Sequence, residues 1–313
     1  MADDRVGRAR PEPATRPEAA ARAATSGDAA YGSAGEGPVR AADGVSGEGV
    51  PGRGTEAGPG LEEAGLRLDV EGPVATLTLN RPERRNAMTF AMWHAMAAVG
   101  RSLPEDVRVV VVRGAGPSFS AGIDLGMFAP GGEGERRFSG GADPAEADRF
   151  IAGLQEGFTW LRRPGVVSVA AVHGHAIGAG FQLALSCDIR VIADDTSFCM
   201  KEPALGLVPD LTGTKPLVEI VGVPRALELC LTARTVGAEE AARLGLAEIV
   251  TPRDGLDAAV RGLVDSLLAV NAGAAAATKR LLWQAPERTL EEQAAAERHE
   301  QIGRLRELFA SRP

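Results

Sequence analysis

Apolar residues alternate with polar ones through Leu66, Leu68 and Val70 and again from Val74 to Leu79, with Glu71-Gly72-Pro73 between the two runs. A period of two on either side of a turn tripeptide predicts a β-hairpin. Asn80-Arg81-Pro82 ends it, because Pro has no N–H to give to a ladder. From Phe90 the period lengthens. Met92, Met96 and Val99 share one face of a helix reaching about Ser102, and Thr89 stands where an N-cap belongs. Val109 to Val112 is apolar without interruption, as in a strand buried on both faces. Ala145 to Leu161 reads as an amphipathic helix stopped by Pro164. Val166 to Val172 and Ile189 to Ala193 read as buried strands, and Ala247 to Val250 as a short one. A helix-like run covers Phe181 to Cys187. Loop chemistry turns into helix between Pro209 and Val221, and helices follow at Pro224 to Ala233 and Glu239 to Leu244. Three more cover about 255 to 269, 272 to 284 and 290 to 310. Residues 126 to 144 are Gly-rich and predict a mobile surface loop. Strands alternate with helices and then helices stand alone, which predicts an α/β core over residues 64 to 253 and a helical C-terminal region over 254 to 313.

Residues 1 to 63 break the pattern. They are rich in Ala, Gly, Pro, Glu and Arg and nearly devoid of large apolar side chains. Such a segment cannot bury enough surface to offset chain entropy, so a disordered tail is expected. The net charge of −8 gives no support to nucleic-acid binding. No apolar run reaches the roughly 18 residues of a membrane span. Cys187, Cys199 and Cys230 have no metal-ligand spacing, and a reduced cytoplasmic setting is expected. His173 and His175 would share one face of an extended segment, but no third ligand is near and no metal is expected.

Candidate chemistry lies in two small-residue loops. One, Ser120-Ala121-Gly122-Ile123-Asp124, follows the strand at 109 to 112. The other, Gly178-Ala179-Gly180, follows the strand at 166 to 172 and opens a helix. A strand, then glycines, then a helix start presents bare backbone N–H groups to negative charge. If the two strands are neighbours, both loops leave one sheet edge and each can aim an N–H at a shared oxygen. Such a donor contributes about 3 kcal/mol when a charged intermediate forms. Ser120 reads as a small residue for close backbone approach rather than a nucleophile.

Four segments carry a resemblance: Leu79-Asn80-Arg81-Pro82 with Asn86-Ala87-Met88, then Phe119 to Asp124, then His173 to Ile189, and finally Glu202 to Asp210. In order and spacing they resemble the enoyl-CoA hydratase/isomerase (crotonase) superfamily across nearly all of residues 66 to 313. The resemblance implies a spiral of ββα turns with C-terminal helices that build homotrimers or hexamers. It implies an acyl-CoA thioester substrate whose enolate is held by the N–H groups of Ile123 and Ala179. It requires no cofactor beyond the coenzyme A of the substrate. Arg84, Arg85, Ala121, Asp124 and Lys279 match positions that contact coenzyme A.

The acid–base positions select among the reactions this resemblance allows. Family hydratases carry glutamate where this chain has Gln182. Glu202 matches a second family glutamate, and Asp210 stands where many members have Gly or Ala. Dienoyl-CoA isomerases use acids at the positions of Glu202 and Asp210, and also at that of Gln182. An amide has no proton to exchange near neutral pH, so Gln182 can orient a water but not deprotonate it. Double-bond isomerisation with Glu202 as base is therefore the favoured expectation. Hydration by Glu202 and Asp210 is the alternative, and a non-catalytic acyl-CoA-binding protein the second. Asp210 can equally be read as a cap for a helix beginning near Leu211.

Overall fold

The computed structural model describes residues 60–139 and 143–310; most of the expected tail therefore lies outside the described residues. Nine strands occur among them: β1 (Leu66–Glu71), β2 (Val74–Leu79), β3 (Val109–Gly114), β4 (Val167–Val172), β5 (His175–Ile177), β6 (Ile189–Ala193), β7 (Ser197–Cys199), β8 (Val236–Gly237) and β9 (Ile249–Thr251). The first two form the expected hairpin, with Glu71 opposite Val74. A six-stranded sheet runs β1-β2-β3-β4-β6-β9, parallel from β2 onward. The short strands β5, β7 and β8 make a second sheet.

The helices are α1 (Phe90–Ser102), α2 (Glu133–Phe138), α3 (Pro144–Thr159), α4 (Ala179–Ser186), α5 (Thr214–Thr232), α6 (Ala238–Leu244), α7 (Leu256–Ala269), α8 (Ala272–Gln284) and α9 (Leu290–Ala310). Thr89 caps α1 by accepting the Met92 N–H at 3.2 Å. The unbroken apolar run of β3 has its reason in the two faces of the sheet. Val110 and Val112 belong to the larger core with Trp93, Met96 and Phe158. Val109 and Val111 join Val169 and Val191 beneath Leu256, Val260 and Val264 of α7. The helix just past residue 253 thus closes the second face of the sheet.

Two local expectations need correction, and a third holds in detail. The stretch read as a loop over 126 to 144 contains α2, preceded by a 3-10 turn at Leu125–Phe128. Its stabilising signal is charge rather than apolar period. Glu133 and Glu135 sit in the first turn and Arg136 and Arg137 in the last, as the helix dipole favours, and Arg137 pairs with Glu133 at 3.2 Å. The two helices expected around Pro224 are both present within α5, which breaks between them at Gly222 with φ 73°. His173 and His175 do not share a face. Gly174 adopts φ 54°, a left-handed turn that leaves His173 buried against Gly116 O at 3.0 Å and His175 exposed.

Candidate active site

Because β3 and β4 are parallel neighbours, the segments leaving them run side by side. Ser120 N–H donates to His175 O at 2.8 Å, and Ile177 N–H donates to Ser120 O at 3.0 Å. On the other flank Met88 N–H donates to Gly122 O at 2.7 Å, and Asp124 N–H donates to Met88 O at 2.8 Å. This parallel bridge uses the residues on either side of Ile123 and turns Ile123's own N–H away from Met88. Ala179 is the first residue of α4, where an N–H has no acceptor inside the helix. The two loops touch at Gly122. A Cβ there would lie 2.5 Å from Ile177 O and 3.7 Å from Ala179 N, and its φ of +91° is open to glycine alone at ordinary strain. The structure therefore brings the Ile123 and Ala179 donors to one place.

Two side chains hold the first loop. Ser120 Oγ donates to Asn86 O at 2.8 Å and accepts the Gly122 N–H at 3.1 Å, as a structural residue does. Asn86, fully buried at φ 55°, donates through Nδ2 to Ala115 O and Ser118 O at 2.8 Å each and accepts from Arg81 N at 2.9 Å. Its motif is plain in the sequence, but its use as a latch is not.

Glu202 opens a 3-10 turn after β7 and is 7% exposed. Its Oε1 lies 3.1 Å from where a Cβ on Gly178 would stand, so the carboxylate overhangs the residue before Ala179. Gln182 Nε2 donates to that oxygen at 2.7 Å. Glu202 Oε2 is buried and has no hydrogen-bond partner. Desolvation pushes the Glu202 carboxyl above the ordinary glutamate range, and Asp210 adds to the push; the residue's own N–H and the Gln182 amide pull the other way. Gln182 is fully buried, and its Oε1 accepts from Leu211 N at 2.9 Å and Gly213 N at 3.2 Å. With both ends of its amide committed, it has no acceptor free to orient a water.

Asp210 is brought close enough to Glu202 to act on its charge. It is exposed, yet enough protein surrounds the carboxyl to push it above the usual aspartate range. It caps no helix: α5 begins at Thr214, and its N-cap is Gly213.

The residues matched to coenzyme A contacts divide. Ala121 N–H donates to Arg85 O at 2.8 Å, which fixes the exposed Arg85 beside the first loop. Asp124 accepts from Arg81 at 3.1 Å, Arg84 at 3.4 Å and Gly126 N at 3.1 Å. Burial works against its charge, but these donors outweigh it and hold the carboxyl below the usual aspartate range. Lys279 is not brought to this cluster. Its ammonium is buried in α8 and donates to Asp188 at 2.6 Å, Val166 O at 2.7 Å and Leu161 O at 3.3 Å. No local sequence signal separates such a buried lysine from a ligand-binding one.

The enoyl-CoA hydratase/isomerase family profile matches residues 69–304. A Thermobifida fusca protein solved with CoA, provisionally named an enoyl-CoA hydratase, is 56% identical over 82% of this chain and 98% of its own, with a TM-score of 0.75. A carnitinyl-CoA dehydratase of Salmonella arizonae is 38% identical over 64% of this chain and 75% of its own length. A peroxisomal Delta(3,5)-Delta(2,4)-dienoyl-CoA isomerase of Arabidopsis thaliana is 31% identical over 72% and 83%. With its four motifs folded around one pair of backbone donors and one buried glutamate, the chain belongs to the enoyl-CoA hydratase/isomerase family.

Proposed function

We propose that the protein shifts the double bond of an unsaturated acyl-CoA thioester, with Glu202 as its single proton carrier. The observation that supports this is the state of Glu202: a buried carboxylate with one oxygen held and one unpartnered, over the loop that carries Ala179. The thioester oxygen would sit between the Ile123 and Ala179 N–H groups, where water is excluded and donors are already oriented. Glu202 Oε2 takes a proton from C2 of a 3-enoyl thioester. The electron pair of that C–H bond spreads over the carbonyl as a dienolate, and the same proton returns to C4. No atom is gained or lost, so one base suffices. Raising the carboxyl pKa narrows its gap to the carbon acid and favours this shuttle. The CoA-bound relative supports a coenzyme A thioester as the ligand. Arg84 and Arg85, exposed beside the first loop, are the cations we assign to its phosphates.

One observation favours a second reading. Burial raises the pKa of Asp210, and its charge acts on Glu202, as that of the second acid of a hydratase would. Incubation with 3-enoyl-CoA and 2-enoyl-CoA in deuterated water separates the two. The isomerase reading expects conjugated enoyl absorbance to grow from the 3-enoyl substrate, with the hydrogen removed from C2 recovered at C4 rather than deuterium from the solvent. Loss of that absorbance from the 2-enoyl substrate, with the 3-enoyl one untouched, would overturn it in favour of hydration.

We also infer a homotrimer or hexamer. Val208, Leu231, Leu282 and Leu290 are 67–87% exposed, which supports burial against further copies. A monomeric mass by light scattering would refute this.

A further inference from the structure

The turn Asp210–Gly213 has a conformation that its own sequence does not explain. Thr212 is β-branched and adopts φ 67°, a region such residues avoid. Its hydroxyl is buried without a partner. Strain of this kind persists only where the surroundings enforce it. What enforces it is Gln182. The N–H groups of Leu211 and Gly213 converge on the one Gln182 oxygen, and a left-handed residue between two converging N–H groups makes an anion-seating nest. Here the seat is filled by a neutral amide oxygen. The fit is tight: a Cβ on Gly213 would come within 2.6 Å of Gln182 Cγ and 2.9 Å of its Cβ.

We propose that Gln182 is a positioning residue whose single amide sets the aim of Glu202 and the shape of the turn carrying Asp210. The inference rests on the reading of Glu202 as the base. An amide is suited to the task because it offers an acceptor to the nest and a donor to the carboxylate at every pH. An ionised glutamate here would fill the nest but repel Glu202. A protonated one would do both only while sharing its proton with the base, and the two carboxyls would then titrate as a pair. The glutamine keeps Glu202 the only titrating group contributed by its side of the site. The other titratable groups that face Glu202 are Asp210, Cys199 on β7 and Cys230 on α5; burial foremost pushes both thiols up, opposed at Cys199 by Lys201 and helped at both by the charge of Glu202, so they stay neutral. Lys201, next in the chain, is exposed.

The test uses the full chain in three forms: wild type, Gln182→Met and Gly213→Ala. The methionine keeps the volume and removes all three hydrogen bonds. The alanine leaves Gln182 intact and drives a methyl into it from the opposite side. Thermal melts establish that each is folded. The Glu202 pKa is then read by carboxyl 13C NMR, assigned with Glu202→Gln, and needs no substrate. The expected result is an upward shift of about one unit in Gln182→Met, the effect of losing one hydrogen bond to a charged group, and a shift of the same sign in Gly213→Ala. With 3-enoyl-CoA, kcat falls on the order of 100-fold while KM changes little, as expected when a base is misaimed rather than a ligand lost. The acid limb of the rate profile moves to higher pH with the NMR value. An unmoved Glu202 pKa in both variants overturns the proposal whatever the rates do. A loss confined to KM overturns it as well. Absence of turnover in the wild type defeats the proposed reaction instead, and the NMR result still decides the role of Gln182.

Discussion

Asp188 and Glu202 are both carboxylates held inside the protein, and the surrounding chain treats them in opposite ways. Asp188 Oδ2 accepts from Lys279 at 2.6 Å, Ser168 N at 2.8 Å and Ser168 Oγ at 3.0 Å, and its Oδ1 accepts from the Trp283 indole at 2.7 Å. Glu202 has one side-chain donor on one oxygen and none on the other. Leaving a buried acceptor unpaired costs about 1–3 kcal/mol, more for a charged group. A fold able to satisfy Asp188 so fully leaves one Glu202 oxygen open, which is what the proposed reaction requires of its base. The lesson is that burial of a charge does not by itself single out a base; the proposed role of Glu202 rests on its open oxygen lying over the loop that carries Ala179. Lys279, matched to a ligand position by the resemblance, is one of the donors to Asp188 within this chain.

The contrast can be broken first at Glu202. Glu202→Gln should cut kcat for double-bond transfer by about 10²–10⁴-fold, the range of a general base. It should leave the melting temperature unchanged or higher, since a desolvated charge is removed. A fall in both activity and stability would place Glu202 with Asp188 as framework. Next, Lys279→Met should cost about 3–5 kcal/mol in urea unfolding by stranding the Asp188 charge. Its rate per folded molecule should stay near wild type; a loss of coenzyme A affinity without a loss of stability would restore it as a ligand. Trp283→Phe removes one donor from Asp188 and should cost about 1–3 kcal/mol in the same assay, with kinetics unchanged.

The smallest effect is a pH dependence. The folded Glu202 pKa is raised above its ordinary 4.5, so the folded protein binds the extra proton. Its contribution favours folding below that ordinary value and is lost as pH rises through the raised one. The transfer rate runs the other way, falling as pH drops through the raised pKa because the base becomes protonated. Asp124, lowered from 3.8, contributes stability that is present above the ordinary value and lost as pH falls through the lowered one. Comparing urea midpoints of wild type and Glu202→Gln across mildly acidic pH isolates the Glu202 part. A constant difference between the two would show that its pKa is not shifted.

Elements with a strong apolar period were legible in the chain: the hairpin, α1, β3, β4, β6 and the last three helices all stand where alternation or helical spacing put them. So was the meeting of the two donor loops, since parallel neighbouring strands deliver their C-terminal ends to one edge. What escaped depends on partners distant in sequence. Nothing beside Thr212 foretells a left-handed threonine; the oxygen that organises it belongs to a residue 30 positions earlier. Gln182 looked like an acid replaced by a weaker group, because its three bonds exist only once α4 and the Asp210 turn meet. The short strands β5, β7 and β8 have too few residues to show a period, and α2 is written in charges rather than apolar spacing.

The loop of residues 120–124 is clamped between Met88 on one side and Ala176 on the other by isolated β-bridges. A chain leaving the ribosome N-terminus first would thus have the Met88 side of the first donor loop available as the loop emerges, long before the other side can be pinned. The second clamp arrives with residue 176, the base at 202, and the turn that seats Gln182 only at 213. No site is complete until residue 213 has been made, and the last part to arrive is the turn that seats Gln182. A truncated product ending before Gly213 would carry Glu202 without the turn that seats Gln182, so the aim of the proposed base is fixed only when that turn joins α4.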